Sequence, residues 1–259
     1  MHPMLNIAIR AARAAGDLIV REMDRVSDIS VDIKGKNDFV TEVDKQAENI
    51  IISTIKNSYP DHAFLGEETG QSGESDFLWI IDPLDGTTNF LHGFPHFAIS
   101  IALQHRGRLD QAVVYDPLKQ ELFTASQGKG AQLNNKKIRV TTQKTLDGAL
   151  LGTGFPFGES QELENFINTF KTLYPMVAGI RRAGAASLDL AYVACGRLDG
   201  FWEYRLKPWD IAAGALLVQE AGGLVSDMLG DNHYMENGNI VTGNPKIFKD
   251  MLKNLRRCV

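Results

Sequence analysis

Cysteine and long apolar runs are both scarce in this sequence. Of its 259 residues only Cys195 and Cys258 are cysteines, which excludes a disulfide framework and a cysteine-based zinc cluster. No stretch approaches the roughly 20 consecutive apolar residues that a membrane span requires. The N-terminal segment also lacks the basic start followed by an unbroken apolar run that is typical of a signal peptide. We therefore expect a protein of the reducing cytoplasm that does not cross a membrane.

An excess of charge of one sign is also missing. The chain carries 27 Lys and Arg against 32 Asp and Glu, a formal net charge of −5, without a long run of either sign. This balance argues against nucleic acid or an anionic membrane as the main ligand. With 44% hydrophobic residues, the chain can bury a large core. We expect a single domain over residues 1–259, with an N-terminal half of about residues 1–145 packed on a C-terminal half of about residues 146–259.

Apolar periodicity predicts two helices near the N-terminus and strands after them. The helical spacing of three and four residues is followed by Leu5, Ala8, Ala12, Ala15, Ile19 and Met23, and then by Val43, Ala47, Ile50 and Thr54. A turn-rich segment at 34–38 separates the two, and Thr41 is a suitable N-cap for the second helix. Short apolar runs at 77–81, 97–103, 112–116 and 121–125 predict strands. Asn134-Asn135 suits a hairpin turn.

Helix and strand patterns alternate in the second half of the chain. Helices are predicted near 160–173, 185–196, 209–221 and 245–256. Strands are predicted for ALLGTG, DGFWEY, GLVSD and NIVTG. This alternation indicates a layered α/β architecture rather than a helix bundle.

The most informative pattern lies at residues 79 to 90, WIIDPLDGTTNF. We expect the buried strand to end at Asp82-Pro83, because proline cannot continue a central ladder of strand hydrogen bonds. Asp82 and Asp85 would then lie at the carboxyl end of the sheet, where open α/β sheets bind their ligands. Asp-Pro and Asp-Gly are also common turn dipeptides, so an ordinary turn remains an alternative for either acid.

The residues that directly follow these acids suit an anion. Gly86 allows the backbone to approach closely, and Thr87 and Thr88 offer amides and hydroxyls. Acidic side chains together with such a loop favour a hard divalent cation that shares its oxygen ligands with a phosphate. The sequence therefore predicts a magnesium and phosphate site here.

Further acidic residues stand at the predicted ends of other elements. They are Asp44, Glu67, Glu68, Glu203 and Asp210. Two of them have a second interpretation: Asp44 follows Thr41 at the spacing of a capping box, and Asp210 follows Pro208 at a helix start, where an acid is favourable in any case. Burial of adjacent Glu67 and Glu68 together would be costly without cations, so we expect one of them to face solvent.

Several segments together resemble the inositol monophosphatase family, with the closest similarity to bacterial inositol-1-monophosphatases. The resemblance is carried by DFVTEVD at 38–44, GEET at 66–69, WIIDPLDGTTNF, GAASLDLAYVACGRLDGFWE at 184–203 and PWDIAAGALLVQEAGG from Pro208. These motifs occur in the order of that family and cover nearly the whole chain. One departure is Ala185, where several members carry a hydroxyl residue.

The resemblance implies a set of functional residues. The metal ligands would be Glu67, Asp82, Asp85, Asp210 and the backbone carbonyl of Leu84, holding roughly two to three magnesium ions. The catalytic residues would be Asp44, Glu67 and Thr87, with Thr87 and Asp44 orienting and deprotonating the attacking water. Substrate would be bound by Leu84, Asp85, Gly86, Thr87, Thr88, Arg181, Gly184, Ala186, Glu203 and Asp210.

The implied activity is magnesium-dependent hydrolysis of myo-inositol monophosphate by direct attack of metal-activated water, with inhibition by lithium. Fructose-1,6-bisphosphatase and 3′-phosphoadenosine nucleotide phosphatase activity are alternatives, because those enzymes share this metal core. A different alternative is an additional binding role through protein contacts with the transcription machinery, since no basic groove or aromatic platform supports direct nucleic-acid binding. The resemblance also implies a homodimer.

Overall fold

A computed structural model describes residues 2–23, 31–35, 38–156 and 160–258. Its helices are α1 Pro3–Met23, α2 Glu42–Lys56, α3 Thr87–Leu91, α4 Ser160–Leu173, α5 Ala186–Ala194, α6 Pro208–Glu220, α7 Tyr234–Asn237 and α8 Pro245–Leu255, with a 3₁₀ turn at Tyr174–Met176. The first ten strands are β1 Val31–Gly35, β2 Asp38–Thr41, β3 Ala63–Gly66, β4 Gly70–Ser72, β5 Phe77–Asp85, β6 Ala98–His105, β7 Arg108–Asp116, β8 Glu121–Ser126, β9 Gly130–Leu133 and β10 Lys136–Lys137. The others are β11 Leu150–Thr153, β12 Gly179–Arg181, β13 Gly200–Glu203, β14 Leu224–Ser226 and β15 Ile240–Gly243.

Two sheets organise the fold. The larger sheet has the strand order β10-β9-β8-β7-β6-β5-β3-β4 and is antiparallel except for the pair β3 and β5. The smaller sheet has the order β12-β11-β13-β15-β14, with β11 parallel to both of its neighbours. Strands β1 and β2 form a separate antiparallel hairpin.

Side-chain alternation along the strands assigns each face of the sheets to a different core. In β5, Trp79 and Ile81 pack with α1 and α2, whereas Ile80 packs with α5 and α6. In β13, Phe201 joins the core around α5 and α6, whereas Trp202 packs with residues of α4 and α8. The layers therefore run helix, sheet, helix, sheet, helix, which confirms the layered α/β prediction. No helix among the described residues has the length and apolar character needed to cross a membrane.

Most predicted helices and strands are present, and the differences have identifiable causes. The turn-rich segment at 34–38 belongs to the β1–β2 hairpin, of which residues 36–37 lie outside the described part of the chain. The segment 69–76, which has no strand pattern in the sequence, contains the short strand β4. Asn134 and Asn135 form the predicted hairpin turn, both with positive φ.

The predicted end of β5 at Asp82-Pro83 is wrong. Pairing with β6 continues to Asp85, and its register shifts from Asp82 opposite Ser100 to Asp85 opposite Ala98. One extra residue is thus accommodated in a β-bulge. Proline is tolerated there because β3 pairs with β5 only as far as Ile81, so no neighbour on that side needs the missing N–H. The bulge bends the chain at the position of the predicted metal ligands.

Candidate active site

One cavity of about 480 Å³ is lined by most of the predicted functional residues, which come from both halves of the chain; Asp44 and Arg181 are not among its lining residues. Its wall includes all four predicted metal-ligand side chains, Glu67, Asp82, Asp85 and Asp210, together with Leu84. Acids from β5, from α6 and from the turn after β3, far apart in sequence, therefore meet in one place.

The bulge of β5 fixes the first group of predicted metal ligands, Asp82, Leu84 and Asp85. The backbone N–H of Leu84 donates to Asp82 Oδ1 at 3.0 Å, so the Asp82 carboxyl closes the turn that it begins. Asp85 Oδ2 accepts two hydrogen bonds from Ser187, from the backbone N–H at 2.7 Å and from the hydroxyl at 2.5 Å. Ser187 belongs to α5, and these two bonds orient the Asp85 carboxyl from the C-terminal half of the chain.

Hydrogen bonds to β5 and β6 hold the segments that carry the other two acids, Glu67 and Asp210. The N–H of Glu67 donates to the carbonyl of Ile81 at 3.1 Å, directly before Asp82. Asp210 lies in the first turn of α6 and accepts the N–H of Lys207 at 2.7 Å. The start of α6 is in turn held by the hydroxyl of Ser100, which pairs with Asp82 in the sheet and donates to the carbonyl of Trp209 at 3.0 Å. These contacts bring Glu67 and Asp210 to Asp82.

Burial, and after it the repulsion between neighbouring carboxylates, raises the pKa values of the acids in the cavity. Burial raises the pKa of Asp82 well above its ordinary value, and the neighbouring Glu67, Asp85 and Asp210 raise it further. Burial likewise raises the pKa of Asp210 to about 7, with Asp85 adding to the effect. The pKa of Asp85 is raised to about 6 by burial, against the opposing effect of the Ser187 hydrogen bonds. Such a cluster is stabilised by protons or by cations.

The donor set fits a hard divalent cation. Four carboxyl groups and the Leu84 carbonyl supply only oxygen atoms, which Mg²⁺ prefers, and the cavity leaves space for water and a substrate oxygen. Among the described residues, no three acidic, histidine or cysteine side chains are placed so that they could hold a metal ion by themselves. The carboxyls instead surround a shared space, in keeping with ions that keep water and substrate as additional ligands.

The buried Asp44 and the half-buried Thr87 form a hydrogen-bonded pair next to these acids. The Thr87 hydroxyl lies 3.0 Å from both Asp44 Oδ1 and the carbonyl of Leu84, so its single proton can go to either. Asp44 Oδ2 accepts the N–H of Thr41 at 2.8 Å and also the Thr41 hydroxyl. Burial raises the pKa of Asp44, and the hydrogen bonds from Thr41 and Thr87 oppose that rise. Asp44 thus both completes the capping box of Thr41 and is the partner of Thr87, so the two interpretations are compatible.

The loop after Asp85 requires glycine at its first position. Gly86 has φ +98°, and an added Cβ would lie 3.0 Å from the carbonyl oxygen of His96. Thr87 and Thr88 follow as the first residues of α3, and both line the cavity. Asn89 fixes this loop, since its amide nitrogen lies 2.8 Å from the His96 carbonyl and 2.9 Å from that of Ala183.

The C-terminal half forms the opposite wall. Gly184, Ala186 and Glu203, three of the residues predicted to bind substrate, all line the cavity. The Glu203 side chain is buried against Gly154, where any Cβ would overlap its carboxyl group. Burial raises the pKa of Glu203 well above its ordinary value, and the neighbouring Asp189 adds to the effect.

Arg181 does not reach the wall of the cavity. It is exposed in β12, whereas the adjacent Arg182 lines the cavity and holds its guanidinium carbon 4.9 Å from the centre of the Phe155 ring. Successive residues of an extended segment project to opposite sides, so only one of the two arginines can face the site. Arg182, and not the predicted Arg181, is therefore the arginine of this pair that lines the cavity.

Sequence reasoning missed several residues of this site. Ser187 and Asp189 are polar residues inside the apolar run of α5, and this position is the signal by which the sequence could have indicated them. Glu68 is half-buried like Glu67, yet only Glu67 lines the cavity. Glu48 of α2 is fully buried beside the Glu67 turn and gave no signal in the sequence.

Known proteins match this chain over its full length. The sequence profile of the inositol monophosphatase family matches residues 1–259. A protein of Pseudomonas aeruginosa named Nus factor SuhB is 59% identical, covering 99% of this chain and 97% of the relative. The crystal structure of extragenic suppressor protein suhB from Bartonella henselae superimposes with a TM-score of 0.97 at 41% identity, with complete coverage of both chains. An inositol monophosphatase structure from Anabaena gives 0.85 at 35% identity, covering 98% of this chain and 95% of that one.

Proposed function

The chain belongs to the inositol monophosphatase family, and from this we propose that it is a magnesium-dependent phosphatase that hydrolyses myo-inositol monophosphate to inositol and phosphate. One observation carries the proposal: Glu67, Asp82, Asp85 and Asp210 line the same cavity as the Thr87 hydroxyl. Their oxygen-only chemistry and the raised pKa values of the three aspartates suit about two to three divalent ions. The ligands would be these four carboxylates and the Leu84 carbonyl.

Bound divalent ions would lower the pKa of water and stabilise negative charge on phosphoryl oxygens. The protein's own contribution is then proton transfer and orientation. The Thr87 hydroxyl can accept a proton from an attacking water while passing its own proton to Asp44 Oδ1, 3.0 Å away. Asp44 is suited to receive it, because burial raises its pKa. The attack forms a new phosphorus–oxygen bond as the ester bond to the alcohol breaks, and the leaving alcohol oxygen takes up a proton from solvent water, without a covalent phosphoenzyme.

The remaining cavity residues would hold the substrate. The backbone and hydroxyls of Gly86, Thr87 and Thr88 suit the phosphate group. Glu203 and Asp85 can accept hydrogen bonds from ring hydroxyls of a polyol, and Gly184 and Ala186 leave room for the ring. Buried carboxylates that need hydroxyl donors favour a polyol over an apolar alcohol.

A panel of substrates tests the proposal. We expect inositol 1-phosphate to give a higher kcat/KM than fructose 1,6-bisphosphate or 3′-phosphoadenosine 5′-phosphate, and activity to depend on added Mg²⁺. The Asp82→Asn variant should lose most of this activity, because Asp82 lies among the other three acids. If either alternative substrate gave the higher kcat/KM, that compound would become the assigned substrate in place of inositol phosphate. Activity without divalent ions would refute the metal-dependent reaction.

A second candidate function is a protein contact with the transcription machinery. The Pseudomonas relative at 59% identity and an Escherichia coli relative at 55% identity both carry the name Nus factor SuhB, and this similarity favours the idea. Affinity capture from a bacterial extract with wild-type protein and with Asp82→Asn separates the two functions. Retention of the same transcription proteins by the inactive variant would support an independent binding role, and their absence from both captures would refute it.

We also propose that the chain forms a homodimer and folds as a single domain. Helices α5 and α6 pack between both sheets, so the two halves share a core. Light scattering at several protein concentrations tests the dimer, and a single cooperative unfolding transition tests the single domain.

A further inference from the structure

Glu48 is a fully buried acidic residue that the proposed reaction does not use. It lies in α2, four residues after Asp44, and its exposed fraction is 0%. Residues four apart share one face of a helix. The face that presents Asp44 to Thr87 therefore also presents Glu48, and Glu48 faces the turn that follows β3.

Both oxygens of Glu48 are engaged by this turn. Oε2 accepts the backbone N–H of Glu68 at 3.0 Å, and Oε1 accepts that of Thr69 at 2.9 Å. The carboxyl also occupies the space beside Gly66, where an added Cβ would lie 2.5 Å from Oε2. The chain thus bends around the Glu48 carboxyl immediately before and after Glu67.

These contacts fix Glu67 from two directions. Its own N–H is held by the carbonyl of Ile81, next to Asp82, and the two following N–H groups are held by Glu48. A buried carboxyl group is costly unless its oxygens are hydrogen-bonded, so the turn and the Glu48 side chain constrain each other. The direction in which Glu67 enters the cavity follows from this arrangement.

We propose that Glu48 is a positioning residue that holds Glu67 in place to bind a divalent ion. The inference rests on the proposed function, because it takes Glu67 as a metal ligand. Glu48 itself does not line the cavity wall among the described residues, so its effect would pass through the Glu67 turn. Residues that orient metal ligands in this way typically contribute about 10- to 100-fold in metal affinity.

Ion binding by four proteins tests this role. Equilibrium dialysis with Mn²⁺ is measured for wild type, Glu48→Gln, Glu67→Gln and the double variant. Glutamine keeps the shape of Glu48 but replaces one acceptor oxygen with an NH₂ group, which would face a backbone N–H. We expect Glu48→Gln to weaken one Mn²⁺ site by about 10-fold or more, Glu67→Gln to weaken the same site, and the double variant to lose no more than Glu67→Gln alone. Glu42→Gln, an exposed residue of the same helix, is the matched control and should bind as wild type does.

Three results would overturn the proposal. They are unchanged Mn²⁺ affinity in a folded Glu48→Gln protein, losses that simply add in the double variant, and equal binding by wild type and Glu67→Gln. If Glu48→Gln does not fold, Gly66→Ala displaces the carboxyl from the other side and should weaken the same site. Because dialysis needs no substrate, wild type that binds Mn²⁺ but does not hydrolyse inositol 1-phosphate would refute the proposed function and leave the role of Glu48 standing.

Discussion

The ion-free protein should become less stable as pH rises through the neutral range. The pKa values of Asp85 and Asp210 are raised from 3.8 to about 6 and about 7, in both cases chiefly by burial. The folded state therefore holds protons that the unfolded chain has already released. The resulting stabilisation is fully present below about pH 4 and is lost as pH rises through the folded-state values of about 6 and 7.

The size of the effect follows from those shifts. One pKa unit corresponds to about 1.4 kcal/mol. Because the carboxyls share one cluster, their contributions do not add fully, and we take about 3 kcal/mol as the combined loss between about pH 5 and pH 8. For a chain of this length, about 3 kcal/mol lowers the unfolding midpoint by roughly 6–12 °C. Magnesium binds the ionised carboxylates of the folded state and should reverse this loss.

Thermal unfolding in EDTA and in excess Mg²⁺, measured by differential scanning fluorimetry at several pH values, tests this reasoning. His96 has the opposite effect on stability, because burial lowers its pKa to about 4 and it therefore favours stability at higher pH. A comparison with Asp210→Asn separates the two effects, since this variant keeps His96. The asparagine side chain keeps an oxygen for the Lys207 N–H, but the substitution removes one ionisable group, so the midpoint of the variant should fall less with pH. An ion-free wild type whose midpoint does not fall relative to this variant would refute the electrostatic account.

Three further predictions concern catalysis and substrate. Thr87→Ala should lower kcat by about 10²–10⁴-fold while Mn²⁺ affinity in dialysis stays near that of wild type; an equal loss of both would contradict a role in proton transfer. Gly154→Ala should raise KM for inositol 1-phosphate more than it lowers kcat, because the new Cβ displaces the Glu203 carboxyl, and unchanged steady-state kinetics would remove Glu203 from the substrate site. Lithium should inhibit by competing at one magnesium position, and inhibition that does not respond to Mg²⁺ concentration would oppose that assignment.

Local patterns predicted the elements of the fold well. The three- and four-residue spacing of apolar residues in α1 and α2 and the Asn134-Asn135 turn depend on short-range chemistry that a single sequence displays. The bulge of β5 was not predictable in the same way. Whether Pro83 ends a strand depends on whether a neighbouring strand needs its N–H, and that is settled by where β3 stops pairing.

In the functional site, too, some residues could be predicted from local sequence patterns and others only from tertiary contacts. Asp82 and Asp85 could be identified as candidate ligands because they come directly after the apolar run at 77–81 and before a glycine-containing loop. The sequence could not show that Arg182 rather than Arg181 lines the cavity, since this depends on which side of the chain at the end of β12 meets the cavity. Glu48 lies in an ordinary helical pattern, and only the tertiary contact with the turn after β3 distinguishes it.

Diffraction from crystals soaked in Mn²⁺ tests the central claim most directly, because anomalous scattering locates each ion without reference to activity. We expect roughly two to three peaks in the cavity, with oxygen ligands from Glu67, Asp82, Asp85, Asp210 and the Leu84 carbonyl. Crystals that show Mn²⁺ elsewhere on the protein and none among these carboxylates would contradict it.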